Sequence, residues 1–424
     1  MKVYRGNFVC APEFGTLSVL PRGYLAVDAD GTIAYAGREL PEAYAPCEQE
    51  DFGEALVLPG FVDLHFHAAQ PAIMGLGHES GEDWFSEFCY PAEHAYGEAE
   101  TAEKTNAYVV SSLRRFGITR SFIMGTTAVG PLKDLAERLS RAGLSARIGK
   151  MNSDQGAFGK AQETTAASRE ETLLFLDFLQ EVQKQNPLIG PALCPEFAPA
   201  CTAELMAFLG DLSRTRGIPI HTHMAEGAFD VKLVREQFPE QKTYGRVYDA
   251  FGLLSGAGTV LAHCLSCTEE EIGLLAERGA VVAHCPVAAL DSGARNFFPL
   301  RKFVRAGVKV GLGSDVGGGH TFNMMRTMTA AIHTSKLFAE ETPLNASEAL
   351  YLATKSGGAL FGKVGSFEKG YAFDALVIDD QERCALAKLD LSARLTQFIY
   401  TADPAEIKRC FCQGREIETK EGGL

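Results

Sequence analysis

The stretch LPGFVDLHFHAAQ, residues 58–70, carries an apolar run that ends in two histidines one residue apart, His65 and His67. Successive side chains of a strand point to opposite faces, so positions i and i+2 share one. A strand here presents two imidazoles side by side at its C-terminal end, an arrangement that can chelate one metal ion. The plain alternative is a pair of surface histidines at a strand end. The rest of the chain decides between them.

Upstream, residues 1–58 read as short strands and turns: KVYRGNFVCA, GYLAVDADGTIAYAGR and ALVLPG. Asp-Gly inside DADGTI, between two β-rich runs, signals a hairpin. Downstream the texture changes. Eight short apolar segments, GFVDLHFH, GITRSFIM, ARIGKM, PLIGPALCP, IPIHTHMAE, TVLAHC, AVVAHCP and VKVGLGSD, alternate with amphipathic stretches such as TAEKTNAYVVSSLRRF and CTEEEIGLLAERG. Such alternation implies parallel strands with right-handed crossovers, and eight units over about 300 residues imply a closed (β/α)₈ barrel. The β texture returns in GSFEKGYAFDALVIDD and IKRCFCQGREI. The expected fold is α/β: a TIM-type barrel over 59–364, with a small β-sandwich domain assembled from 1–58 plus 365–424.

The bulk composition narrows the function. The chain has 424 residues, 46% hydrophobic and 22% charged, with a formal charge of −14 and no Lys/Arg run. That argues against a nucleic-acid footprint. No apolar stretch reaches the ~20 residues of a spanning helix, and MKVYRGNFVCAPEF does not read as a signal peptide. A cytoplasmic protein with no membrane partner is expected. Its eleven cysteines read as reduced, mostly buried thiols. The CxxC at Cys264 and Cys267 and the CxC at Cys410 and Cys412 lack a partner pair at structural-zinc spacing.

Barrel enzymes carry their reactive groups at the C-terminal ends of the strands. The first strand supplies His65 and His67, the fifth His223 and then Glu226, the sixth His263, the seventh His284 and the eighth Asp315. Five of the ten histidines lie at strand ends, and six with His221, which favours a shared metal site over scattered surface residues. Three histidines and a carboxylate suit one divalent cation with a water in its shell, zinc first and iron as an alternative. The cation lowers the pKa of that water. A carboxylate not locked on the metal then moves the proton, and Glu226 is placed for it. His221, on the same face as His223 but deeper, reads as a hydrogen-bonded interior histidine. Gly317–Gly319 reads as a tight loop near the metal, since no phosphate-loop spacing accompanies it.

These pieces resemble the amidohydrolase superfamily. Within it, PGFVDLHFHAAQ, EDWFSEFCYPAEHAY, IGKMNSD, FAPACTAELM, HTHMAEG, LAHC, VAHCP and VGLGSDVGGGHTFNMMRTM are similar to the guanine deaminases over nearly the whole chain. The resemblance implies metal ligands His65, His67, His223 and Asp315, Glu226 as proton shuttle, His263 holding the attacking water, and Asp315 accepting a proton as well. It implies Gln70, Trp84 and Phe197 around the ring, and His284 lining the pocket. The implied reaction is hydrolysis of guanine to xanthine and ammonia, by a homodimer of purine metabolism acting on a small nitrogen heterocycle.

Two departures stand out. Where the family pattern has an arginine that reads the purine carbonyl, this chain has Glu196 in CPEFAP, an acceptor in place of a donor. Where the family has Ser-Asn after HCP, Ala288 and Ala289 follow. These changes leave open a different aminated ring (a pterin, triazine, pyrimidine or other purine), with Arg295 or His320 as a substitute contact. They also leave open a binuclear cyclic-amide hydrolase in which Glu196 bridges two metals. A scaffold protein without a metal is disfavoured, because every ligand is present. A zinc deaminase of the H-x-E, P-C-x-x-C type is disfavoured because neither pattern occurs.

Overall fold

The computed structural model describes residues 1–157, 162–254, 258–293, 297–337 and 342–418; Arg295 lies outside them. The N-terminal strands are β1 (Lys2–Glu13), β2 (Thr16–Val27), β3 (Ile33–Gly37) and β4 (Glu48–Pro59). The expected Asp-Gly hairpin joins β2 to β3. Gly31 within it has φ +81°, and a Cβ there would lie 2.0 Å from the Gln413 carbonyl oxygen, so only glycine fits.

The strand–helix alternation follows. Its strands are β5 (Phe61–His67), β6 (Ile118–Met124), β7 (Ser145–Gly149), β8 (Met151–Asn152), β9 (Ile189–Pro191), β10 (Cys194–Pro195), β11 (Ile220–Met224), β12 (Thr259–His263), β13 (Val281–His284) and β14 (Lys309–Leu312). All eight expected segments form strands, the third and fourth as broken pairs. Two parallel four-stranded sheets result, β5-β6-β7-β9 and β11-β12-β13-β14. Leu193 bridges in parallel to Ile220 on one side. On the other, the Asp315 N–H donates to the His65 carbonyl at 2.8 Å.

Local sequence explains the helices between them. CTEEEIGLLAERG forms the helix Glu269–Arg278, closed at its start by a capping box between Thr268 and Glu271 and at its end by Gly279 in a left-handed conformation. The helix Val129–Ala142 buries Val129, Leu132, Leu135, Ala136 and Leu139 against the strands and stops at Gly143 in the same way.

The chain ends meet in one hydrogen-bonded sheet. With β15 (Ala375–Ile378), β16 (Ile407–Cys412) and β17 (Arg415–Ile417), its order is β17-β16-β15-β4-β1-β2-β3. The expected sandwich is thus seven strands in continuous pairing around an aromatic cluster of Tyr4, Phe8, Phe52, Phe373 and Phe411. Arg120 of β6 ties this sheet to the barrel strands. Its Nε and Nη2 donate to Asp374 Oδ2 and Oδ1 at 2.6 and 3.0 Å, with both residues buried. The Gln413 N–H also donates to Asp374, at 2.8 Å. Asp374→Ala leaves a buried guanidinium without its counter-ion, and a loss of about 3–5 kcal/mol in urea unfolding is expected; a loss under ~1 kcal/mol would show the pair to be dispensable.

Candidate active site

Side-chain parity along the strands decides what reaches the centre. Val62 and Leu64 of β5, Phe122 and Met124 of β6, Val260 of β12, and Val281 and Ala283 of β13 form an apolar cluster inside the strands. Phe66, Ile123, Leu261 and Val282 pack outward with the helices. Strict alternation from Val62 and Leu64 would send His65 and His67 outward. The β5–β6 register shifts between Asp63 and Phe66, and this irregularity turns both imidazoles inward, a common use of bulges beside active sites. His221 and His223 of β11 reach the interior by simple alternation, with Ile220 and Met224 facing out.

His263 shares the outward parity of Leu261, yet it faces the centre because its backbone adopts φ 72°. Ala225, just before Glu226, and Asp315 also have positive φ, 49° and 51°. Left-handed conformations at non-glycine residues carry strain and cluster at functional sites. His284 keeps its parity with Val282. It is buried and stacks on Phe298 at 4.6 Å.

The inward groups converge on Asp315. Its Oδ1 lies 3.1 Å from His65 Nε2 and 3.6 Å from His67 Nε2, and its Oδ2 lies 3.7 Å from His263 Nε2. His67 Nε2 and His223 Nε2 face each other at 3.2 Å. His223 donates its Nδ1–H to the Glu196 carbonyl at 2.5 Å, so its Nε2 carries the lone pair. His65 Nε2 is buried without a hydrogen-bond partner. Possible ligand atoms of His65, His67 and His223 lie within 4.8 Å of one another, as do those of His65, His263 and Asp315. Burial and then neighbouring imidazoles hold His65 and His67 well below the usual histidine range, and burial lowers His223 and His263. Neutral imidazoles with converging lone pairs beside a carboxylate fit a divalent cation. Glu196 belongs to neither converging group, so the geometry does not favour a bridging carboxylate and a second metal.

A cavity opens above this cluster. His67, His223, His263 and Asp315 floor it, and Glu226, Gln70, Glu196, Phe197 and Trp84 are in its wall. Glu226 Oε2 sits 3.8 Å from His263 Nε2. Desolvation pushes its carboxyl up to about 7, Asp315 adding to the rise and His223 opposing it. Gln70 donates to Glu93 Oε1 at 2.9 Å. A Cβ on Gly317 would fall 1.9 Å from Gln70 Oε1, and the Gly319 N–H turns back to the Asp315 carbonyl at 2.5 Å; the glycine run is the tight loop expected. His320 lies outside the wall, its Nδ1 2.6 Å from Asp291 Oδ2.

Sequence reasoning missed Phe85, Cys89, Glu93 and Phe229 in the wall, which also holds Gly318 of the expected glycine loop. Phe85, Cys89 and Glu93 follow one another at four-residue intervals through a π-turn, Phe85–Cys89, and the helix Tyr90–Tyr96. That spacing puts them on one face. Glu93 Oε2 and Glu196 Oε2 are buried without a hydrogen-bond partner. Burial, then the charge of Glu196, pushes Glu93 up to about 8. Because this exceeds the free value of 4.5, its contribution to stability is fully present below about 4.5 and is lost as pH rises through about 8. Glu93→Gln therefore gains Tm relative to the parent protein between pH 5 and 8.5; a Tm difference constant across that window would contradict the assignment.

The match to known proteins follows this layout. A model of the amidohydrolase family matches residues 56–417. The chain belongs to the amidohydrolase family. Among amidohydrolases it is similar to the guanine deaminase of Dictyostelium discoideum, 30% identical over 99% of this chain and 98% of that one. It is also similar to the guanine deaminase of Escherichia coli (strain K12), 30% identical over 87% and 84%. The solved guanine deaminase from C. acetobutylicum with bound guanine in the active site superimposes with a TM-score of 0.94, at 33% identity over 98% of this chain and 100% of that one. An adenosine deaminase from Xanthomonas campestris with bound zinc, at 23% identity and a TM-score of 0.82, shares the amidohydrolase fold. Among the described residues, no helix is long and apolar enough to cross a membrane.

Proposed function

We propose that this amidohydrolase removes the exocyclic amine of guanine by hydrolysis, giving xanthine and ammonia. The observation that carries the proposal is the full-length likeness to guanine deaminases, including one solved with guanine in its active site. The convergence of five inward groups on one point supports it. His65, His67, His223 and Asp315 would hold a divalent cation, with zinc the first choice for this donor set; when bound, it would supply Lewis acidity and lower the pKa of a water.

The chain's own groups perform the proton work. His263 Nε2, between Glu226 Oε2 at 3.8 Å and Asp315 Oδ2 at 3.7 Å, orients the water. Glu226 takes one proton from it and passes it to the ring nitrogen beside the amine-bearing carbon; Asp315 accepts the second proton, which returns by way of the emptied Glu226 to the amine as it leaves as ammonia. Burial favours the proton-bearing form of Glu226, which suits a carboxyl that carries a proton between two sites. Trp84 and Phe197 flank the ring and Gln70 contacts its polar edge. Glu196 faces the same cavity, and no Lys or Arg is among the described wall residues. The pocket's polar end is thus rich in acceptors, and the ring is held through its N–H groups.

Trp84 is the only tryptophan and stands in the wall. Guanine added to a turnover-deficient variant should change the intrinsic fluorescence; an unchanged spectrum at saturating guanine would take the ring away from Trp84. The function itself is tested by ammonia release across guanine, other aminated purines, pterins, triazines and pyrimidines. Guanine should lead the panel, and a clear preference for another ring would overturn the substrate assignment. The same proposal takes the protein to be a cytoplasmic homodimer of purine metabolism with one metal per chain. It takes residues 59–364 as the barrel domain and 1–58 plus 365–424 as the flanking one. Light scattering and metal analysis check the dimer and the stoichiometry.

A further inference from the structure

His221 is buried, inward-facing, and outside the converging ligand groups. Its Nε2 lies 2.8 Å from His65 Nδ1, and its Nδ1 lies 3.8 Å from Cys194 Sγ of β10. Phe122 packs edge-on against its ring at 5.7 Å. The imidazole is therefore fixed by groups from β5, β6 and β10, and among the described residues its short polar contact is to the ring nitrogen of His65 that points away from Asp315.

One proton lies between these two nitrogens, and its position decides what His65 can do. If His221 donates, His65 Nδ1 accepts, and the neutral His65 carries its proton on Nε2, 3.1 Å from Asp315 Oδ1. That nitrogen then has no lone pair for a cation. If His221 accepts, His65 Nδ1 carries the proton and Nε2 is free to ligate. Ligating histidines commonly have the second nitrogen fixed by a carboxylate, a carbonyl or water; here the partner is a second neutral imidazole, which adds no charge to the site. Cys194 completes the chain as a weak acceptor for the remaining His221 N–H.

We propose that His221 is a positioning residue that accepts the His65 Nδ1–H and so sets the tautomer and orientation in which His65 ligates the metal. The proposal rests on the metal centre argued above, and its test separates the two. Zinc affinity is measured by competition with a chromophoric chelator for the parent protein, His221→Gln and His221→Met, with the melting of each metal-free protein as the control for folding. Glutamine keeps an acceptor oxygen; methionine fills similar space without a comparable one. The expected result is zinc binding about 10–100-fold weaker for His221→Met and within about threefold of the parent for His221→Gln. Equal affinity in all three would overturn the positioning role while leaving the metal centre intact. A parent protein that takes up no zinc would overturn both. No variant is needed for the second measurement: in the zinc-loaded parent, ¹⁵N-labelled histidine spectra should show His65 protonated at Nδ1, and a proton on Nε2 would overturn the role.

Discussion

Glu226→Gln keeps the metal content of the parent protein and loses turnover of guanine by about 10³-fold. The expectation follows from its place: next to the cluster, 3.8 Å from His263 Nε2, yet outside both converging ligand groups. A carboxamide preserves size and can hydrogen-bond, but it cannot accept a proton from water and return it to the leaving amine. Because the missing step is transfer rather than binding, kcat falls and KM changes little. Metal analysis alongside steady-state kinetics checks both halves. Activity within about tenfold of the parent would remove Glu226 from the proton path, and lost metal would reassign it as a ligand.

Asp315→Ala acts at the other centre of the site. His65, His67 and His263 all approach this carboxylate, at 3.1, 3.6 and 3.7 Å, and it is the one anionic group among the four proposed ligands. Without it, cation affinity falls by at least about a hundredfold, the upper end of what outer partners contribute, and turnover falls by a further factor of order 10²–10³ even when the metal is supplied in excess. Calorimetric titration with zinc, followed by assay at saturating zinc, separates the two losses. An Asp315→Ala protein that bound zinc normally would exclude this carboxylate from the cation site.

The sequence carries the architecture because each barrel strand is short, apolar and bounded by an amphipathic helix, and because capping signals such as Thr268 with Glu271 are local. The i, i+2 rule links His65 with His67 and His221 with His223, since those pairs share a face whatever precedes them. What periodicity does not carry is which face. His65 and His67 turn inward through a register irregularity in β5, and His263 through a left-handed backbone; neither feature has a residue signature such as glycine. His284 shows the converse: it ends a strand like His263, but its ordinary backbone leaves it on Phe298. Glu93 was within reach, since Phe85, Cys89 and Glu93 recur at helical spacing. The cavity to which that face turns is a tertiary fact, as is the carboxyl-lined end that Glu93 and Glu196 form together.

The central claim is that a cation held by the strand-end histidines and Asp315 serves the hydrolysis of guanine. It is tested most directly by following guanine loss with xanthine and ammonia formation in the zinc-loaded protein, the chelator-stripped protein and the stripped protein resupplied with zinc. The account predicts equimolar xanthine and ammonia in the first and third, and turnover at least about 10³-fold lower in the second. Equal turnover with and without the metal, or no xanthine from the fully loaded protein, would contradict it.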